Sequence, residues 1–190
     1  LQYAHQTFKK DREIVLSALR QNGYALEYAD DVLKADREVV LEAVINQGKA
    51  LGYAANFFKS DREIVLAAVN SSGVALSFAG DSLKADREIV FAAVSQDGYA
   101  LYHADQNLKA DREVVVKALK NQGMALNYVI DGFKADRNIV LEAVRNEGKA
   151  LGYAADDFKS DREVVLAAVQ QNGWALEYAD DILKADREIV

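Results

Sequence analysis

Lys34-Ala35-Asp36-Arg37-Glu38-Val39-Val40 is the stretch whose reading decides the fold. Its pattern, Lys-x-Asp-Arg-Glu-(Ile/Val)-Val, first stands at Lys9–Val15 and returns at Lys34, Lys59, Lys84, Lys109, Lys134, Lys159 and Lys184, each copy 25 residues after the last. The copy at Lys134 carries Asn138 in place of the glutamate. A fixed period of this length marks a repeat architecture, in which each unit packs on its neighbours and no single central core exists. The reading is one repeat array over residues 1–190, with units starting near 11, 36, 61, 86, 111, 136 and 161 and partial units at 1–10 and 186–190. The chain opens at Leu1 and stops at Val190 inside a repeat, so it is expected to be a piece of a longer array.

Within one repeat, Asp36 is the natural N-cap of a first helix. Its carboxylate accepts from the free N–H groups of the first turn, and Glu38 adds a second charge of the sign the helix dipole favours there. Val39, Val40, Ala43 and Val44 then fall on one helical face, widened by Leu41. Gly48 ends that helix, and the same column holds Gly23, Gly73, Gly98, Gly123, Gly148 and Gly173. Glycine at a helix end is expected to take the left-handed conformation that other residues resist. Ala25, Leu26, Tyr28, Ala29 and Leu33 have the spacing of a second apolar helical face, predicting a second helix of about ten residues. Neither helix is long enough to be stable alone in water. Stacking of antiparallel pairs must supply the stability, at about 1.5–3 kcal/mol per fully buried Leu, Val or Phe. The predicted fold is therefore all-α, an α-solenoid of stacked antiparallel helix pairs.

Hydrophobic residues make up 51% of the chain and charged residues 28%, which lets it pack and stay in solution. Proline is absent, as suits a chain of short helices, and cysteine is absent, which rules out disulfides and thiolate zinc sites. No apolar run reaches the roughly 18 residues of a transmembrane helix, and no membrane association is expected. No signal peptide is seen, which leaves the localisation open. The net charge is −7, and its excess comes from Asp30, Asp31, Asp105, Asp131, Asp156, Asp157, Asp180 and Asp181. That stripe disfavours nucleic acid as the main partner, because phosphate binding needs a net positive face.

Larger blocks also recur. The stretch from Lys49 to Glu63 returns from Lys149 with Asp156 and Asp157 in place of Asn56 and Phe57. The stretch from Gln21 returns from Gln171 with Trp174 in place of Tyr24. The two offsets, 100 and 150, differ, so no single larger block was copied; the expected origin is duplication and shuffling of units, with design as the alternative. The columns resemble a known family of helical repeats of unknown function, whose units read L-K-x-D-(R/K)-E-(I/V)-V-L-x-A-V-x-x-(N/D)-G-x-A-L-x-(Y/F)-A. Lys34 to Ala54 and Lys159 to Ala179 fit that pattern closely, and the resemblance runs from end to end. It implies an array-forming, binding or scaffolding segment and carries over no catalytic residues. The unit around Val129, Ile130 and Gly132 departs from the pattern.

Candidate chemistry divides into repeated and variable positions. The Asp-Arg-Glu block supplies Asp36, Arg37, Glu38, Asp86, Arg87, Asp136 and Arg137, and the glycine column adds Gly48, Gly98 and Gly148. A ladder of arginines can grip phosphates or carboxylates. The structural reading is preferred, with Asp capping and Arg bridging to an acid on the next unit, because a stacking contact is needed in every unit and a catalytic site only once. The column Tyr3, Tyr28, Tyr53, Phe78, His103, Tyr128, Tyr153 and Tyr178 is read as rings packed inside with hydroxyls at the edge. His5 and His103 occupy different columns and do not form a metal site, and no cofactor is expected.

Directly after each glycine the residues vary: Tyr24, Lys49, Val74, Tyr99, Met124, Lys149 and Trp174. So do those after the Leu column: Gln2, Glu27, Gly52, Ser77, Tyr102, Asn127, Gly152 and Glu177. Variation marks positions that packing does not dictate. Tyr24, Lys49, Tyr99, Met124, Lys149 and Trp174 are the candidate partner-binding residues; the competing reading is that they cover the turn. The expected function is a non-enzymatic scaffold that binds a protein or peptide along one face. The alternatives are a spacer that self-associates end to end and, behind it, a nucleic-acid binder.

Overall fold

The computed structural model describes residues 1–189. The chain is all-α: every regular element among the described residues is an α- or 3-10 helix, and the repeats stack as an α-solenoid. It divides into two compact units, residues 1–96 and 97–190.

The repeat beginning at Arg37 shows how the sequence builds each unit. Asp36 accepts from the backbone N–H groups of Glu38 at 3.0 Å and Val39 at 3.1 Å, and the long helix runs Arg37–Asn46. Gln47 turns extended, and a six-residue 3-10 helix, Gly48–Tyr53, follows at once. In the first unit, Arg37–Asn46 packs between the long helices Arg12–Gln21 and Arg62–Ser71, while Gly48–Tyr53 packs between the 3-10 helices Gly23–Tyr28 and Gly73–Phe78. In the second unit, Arg137–Asn146 lies between Arg112–Asn121 and Arg162–Gln171, and Gly148–Tyr153 between Gly123–Tyr128 and Gly173–Tyr178. The core lies between these two layers. Val39, Val40, Ala43, Val44, Ala50 and Leu51 are fully buried, as are Ile139, Val140, Ala143, Val144, Ala150 and Leu151 to within 1%.

Two expectations are corrected. The second helix is not a continuous α-helix of ten residues. It is a 3-10 helix that ends at an extended Ala54, followed by a separate turn of helix such as Asp31–Lys34 or Asp81–Lys84. The break has a physical cause. The N–H of Ala55 donates to the carbonyl of Lys34 in the preceding repeat at 2.9 Å, and the N–H groups of Asp30, Gly80, Ala155 and Asp180 make the same bond to Lys9, Lys59, Lys134 and Lys159. In an unbroken helix that N–H would be used internally and would not reach a neighbour.

The glycine column also works differently from the expectation. Among the described residues no glycine has a positive φ. Gly48 is required by close approach: a Cβ there would sit well under 3.0 Å from the carbonyl oxygen of Ala68, on the long helix of the next repeat. Gly98 stands in the same relation to Ala118, and Gly148 to Ala168. Backbone, not a movable side chain, occupies the space, so no other residue fits without displacing a helix.

The acidic stripe is accounted for by the short turns. Asp30, Asp105 and Asp180 cap them through the N–H groups of Val32, Asn107 and Ile182. Asp31, Asp131, Asp156 and Asp181 pair with the lysine three residues on.

Candidate functional site

The Asp-Arg-Glu block forms rungs between repeats. Arg12 donates through Nε to Asp36 at 3.3 Å and through Nη2 to Glu38. Arg62 donates to Asp86 and Glu88, and Arg137 to Asp161 and Glu163, in the same way; Arg37 donates to Glu63 and forms an ion pair with Asp61 at 3.9 Å. Asn138 removes the second acid from one rung, and Arg112 answers with two nitrogens on Asp136, at 2.7 and 3.3 Å. The Arg112 guanidinium holds the Asp136 carboxyl below the usual carboxylate range. At Asp36 burial works the other way, but the Val39 N–H and Arg12 outweigh it, and its carboxyl too is lowered. Arg87 lies over the ring of Phe91, 6.0 Å from its centroid. The guanidiniums of Arg12, Arg37, Arg62, Arg112, Arg137 and Arg162 are committed to neighbouring carboxylates, so these rungs present no row of free cations to a phosphate among the described residues.

The variable residues stand on the 3-10 layer. In a 3-10 helix residues i and i+3 eclipse, so Tyr24 and Glu27, or Tyr99 and Tyr102, share one row. The backbone beneath them is locked. The N–H of Tyr24 donates to Asn22 at 2.9 Å and to Gln47 of the next repeat at 3.0 Å, and that of Met124 donates to Glu147 at 2.7 Å. Tyr24 and Tyr99 are 37% and 39% exposed, Lys49 and Lys149 are exposed, and Met124 is half-buried. Trp174 is 74% exposed, but no described helix follows its repeat, so the figure is not comparable with that of Tyr24.

The aromatic column is not core. Tyr53, Phe78 and Tyr153 are each 37–38% exposed, and the buried position is instead the later one of Leu33 and Phe58. Phe78, Tyr128 and Tyr178 lie across the variable residue of the preceding repeat. A Cβ on Gly52 would meet Phe78 at 2.9 Å, and one on Gly152 would meet Tyr178 at 3.0 Å. Tyr128 packs on Tyr102 with ring centroids 5.1 Å apart, and on Tyr99 at 6.4 Å. The result in each unit is a stripe of half-exposed rings edged by the post-glycine residues. Sequence reasoning put Tyr53, Phe78, Tyr128 and Tyr153 inside, because helical spacing alone does not separate a core position from an edge.

Among the described residues no polar or charged side chain is buried, and no group of three His, Asp or Glu side chains is placed to hold a metal ion. No described helix is long and apolar enough to cross a membrane. The arrangement offers surface contact: rigid rings, a fixed backbone and exchangeable neighbours.

Period, paired layers and backbone-locked junctions define a helical-repeat protein of the α-solenoid class. The chain belongs to the family described as Domain of unknown function (DUF4116), whose profile matches residues 1–34, 36–84, 86–134, 111–159 and 161–190. Each full match spans two of the 25-residue repeats, and overlapping matches start one repeat apart. No curated protein and no solved structure matches the chain.

Proposed function

We propose that the chain is a non-enzymatic scaffold that binds a protein or peptide partner along the 3-10 face of its repeats. The observation that carries this reading is the half-exposed ring presented at the same edge by successive repeats, Tyr53 and Phe78 in one unit and Tyr128 and Tyr153 in the other. Rings of this kind offer large contact area at low conformational cost, and aromatic and Met side chains are enriched where partners bind. The variable residues Tyr24, Lys49, Tyr99, Met124, Lys149 and Trp174 stand beside that stripe, where they can set specificity without disturbing the stack.

Selection of random peptides displayed on phage against the immobilised chain tests this. Enriched peptides should lose at least about fivefold in affinity when Tyr24 and Tyr99 are both changed to Ala, with the far-ultraviolet circular dichroism melt unchanged. Failure to enrich any peptide, or binders indifferent to both substitutions, would sink the proposal.

A further inference from the structure

One stretch of the stripe departs from its own repeats. Tyr102 stands where the other units carry Glu27, Gly52, Ser77, Asn127, Gly152 and Glu177. The residue before the glycine is uncharged at Asn22, Gln47, Ser72, Gln122 and Asn172, but acidic at Asp97 and Glu147. These exceptions meet within the second unit. Tyr128 is set against Tyr99 at an interplanar angle of 79° and against Tyr102 at 65°, so the rings form walls rather than a stack. Tyr102 is 58% exposed. Asp97 accepts from the N–H of Tyr99 at 2.9 Å, which fixes its carboxylate beside that residue. Glu147 accepts from the N–H of Met124, the post-glycine residue of the repeat next to that of Tyr99, at 2.7 Å, which fixes its carboxylate at the same edge. Burial, together with Glu147, Tyr128 and Asp97, holds the Tyr99 phenol above its usual pKa.

The cluster already holds one cation. In the units at Lys34, Lys84, Lys134, Lys159 and Lys184 the lysine pairs with an aspartate three residues earlier. At Lys109 that earlier residue is Gln106, and the Lys109 ammonium lies over the ring of Tyr102 instead, 5.6 Å from its centroid. Steeply angled tyrosines with carboxylates at the rim are the chemistry that receives an ammonium or guanidinium group. A net charge of −7 draws a basic partner toward the surface.

We infer that Tyr99, Tyr102 and Tyr128, rimmed by Asp97 and Glu147, receive an arginine or lysine side chain of a basic peptide segment. The inference rests on the scaffold reading and names the chemistry of its partner.

Fluorescence anisotropy with the 190-residue chain, at about 0.15 M salt, tests it using a labelled peptide of alternating arginine and glycine and a matched peptide of glutamate and glycine. Saturable binding of the arginine peptide alone is expected. Tyr102→Ala with Tyr128→Ala should weaken it about fivefold or more, and Tyr102→Phe should leave it within about twofold, because the ring and not the hydroxyl does the holding. Lys109→Gln should tighten it by removing the internal cation. Should the double variant melt early, the exposed Tyr102→Ala alone carries the comparison. Arginine-peptide binding that is unchanged by loss of the rings, or a preference for the glutamate peptide, overturns the inference. If the phage selection yields stripe-dependent peptides without basic residues, this inference falls and the scaffold reading stands; if it yields none, both fall.

Discussion

Gly48 and Ala68 meet backbone to backbone: the Ala68 carbonyl oxygen occupies the place a side chain at position 48 would need. The same meeting joins Gly98 to Ala118, whereas a Cβ on Gly132 would meet only the Ile130 side chain, at an ordinary 3.8 Å. Gly98→Val should therefore cost about 2–3 kcal/mol through overpacking against a carbonyl that cannot yield. Gly132→Ala should stay within about 0.5 kcal/mol of the parent. Urea unfolding of the two variants decides. Equal effects would show that glycine is used for its flexibility and not for its lack of volume.

Asp136 serves its own helix and the preceding repeat at once. Its carboxylate accepts from the N–H groups of Asn138 and Ile139 at 2.9 and 3.1 Å and also receives Arg112. Loss of the cap alone in Asp136→Ala should cost about 1 kcal/mol. Asn138→Glu restores the second acid of the rung and should raise the melting temperature slightly at low salt. The gain should vanish in about 1 M salt, where exposed charges are screened. A rise that persists at high salt would mean that something other than the ion pair is responsible.

Acid should unfold the array. Asp36, Asp86, Asp136, Asp161 and Asp186 all titrate below the ordinary carboxylate value. A group whose pKa is depressed on folding contributes stability above its unfolded pKa and loses it as pH falls through the folded value. The melting temperature should be nearly flat from pH 7 to about 5 and should drop below about pH 4. A flat profile down to pH 2 would count against the rungs as a source of stability.

Leu151 and Tyr153 lie two residues apart on the same 3-10 helix but in different surroundings, one fully buried and the other 37% exposed. Leu151→Ala should cost about 2–5 kcal/mol, the range for emptying a core site. Tyr153→Ala should cost about 1 kcal/mol, since part of its ring surface already faces water. Comparable losses in chemical denaturation would return the aromatic column to the core.

What could be read in the sequence was what is local. The Asp36 cap and the apolar face of Arg37–Asn46 depend on residues a few positions apart, and each is found where the pattern puts it; the period shows directly as recurrence every 25 residues. The break at Ala54 was not legible, because it answers to the carbonyl of Lys34 in a neighbouring repeat. The reason for Gly48 lies in the backbone of Ala68 and is equally invisible from its own surroundings. The candidate site was half legible. Variation pointed to Tyr24, Tyr99 and Trp174, and the aromatic column beside them was taken for core because an edge position and an interior one share the same spacing.

The bond from Ala55 to Lys34, repeated at Asp30, Gly80, Ala155 and Asp180, is made by main chain to main chain. Its formation is indifferent to which side chains the two partners carry. A joint of that kind makes the 25-residue piece an interchangeable cassette: one can be excised or copied at its boundary and the flanking pieces dock as before. The near-identical segments beginning at Lys49 and Lys149 have the form such exchange would leave, and a joint of this kind lets surface chemistry be rewritten piece by piece while the masonry holds.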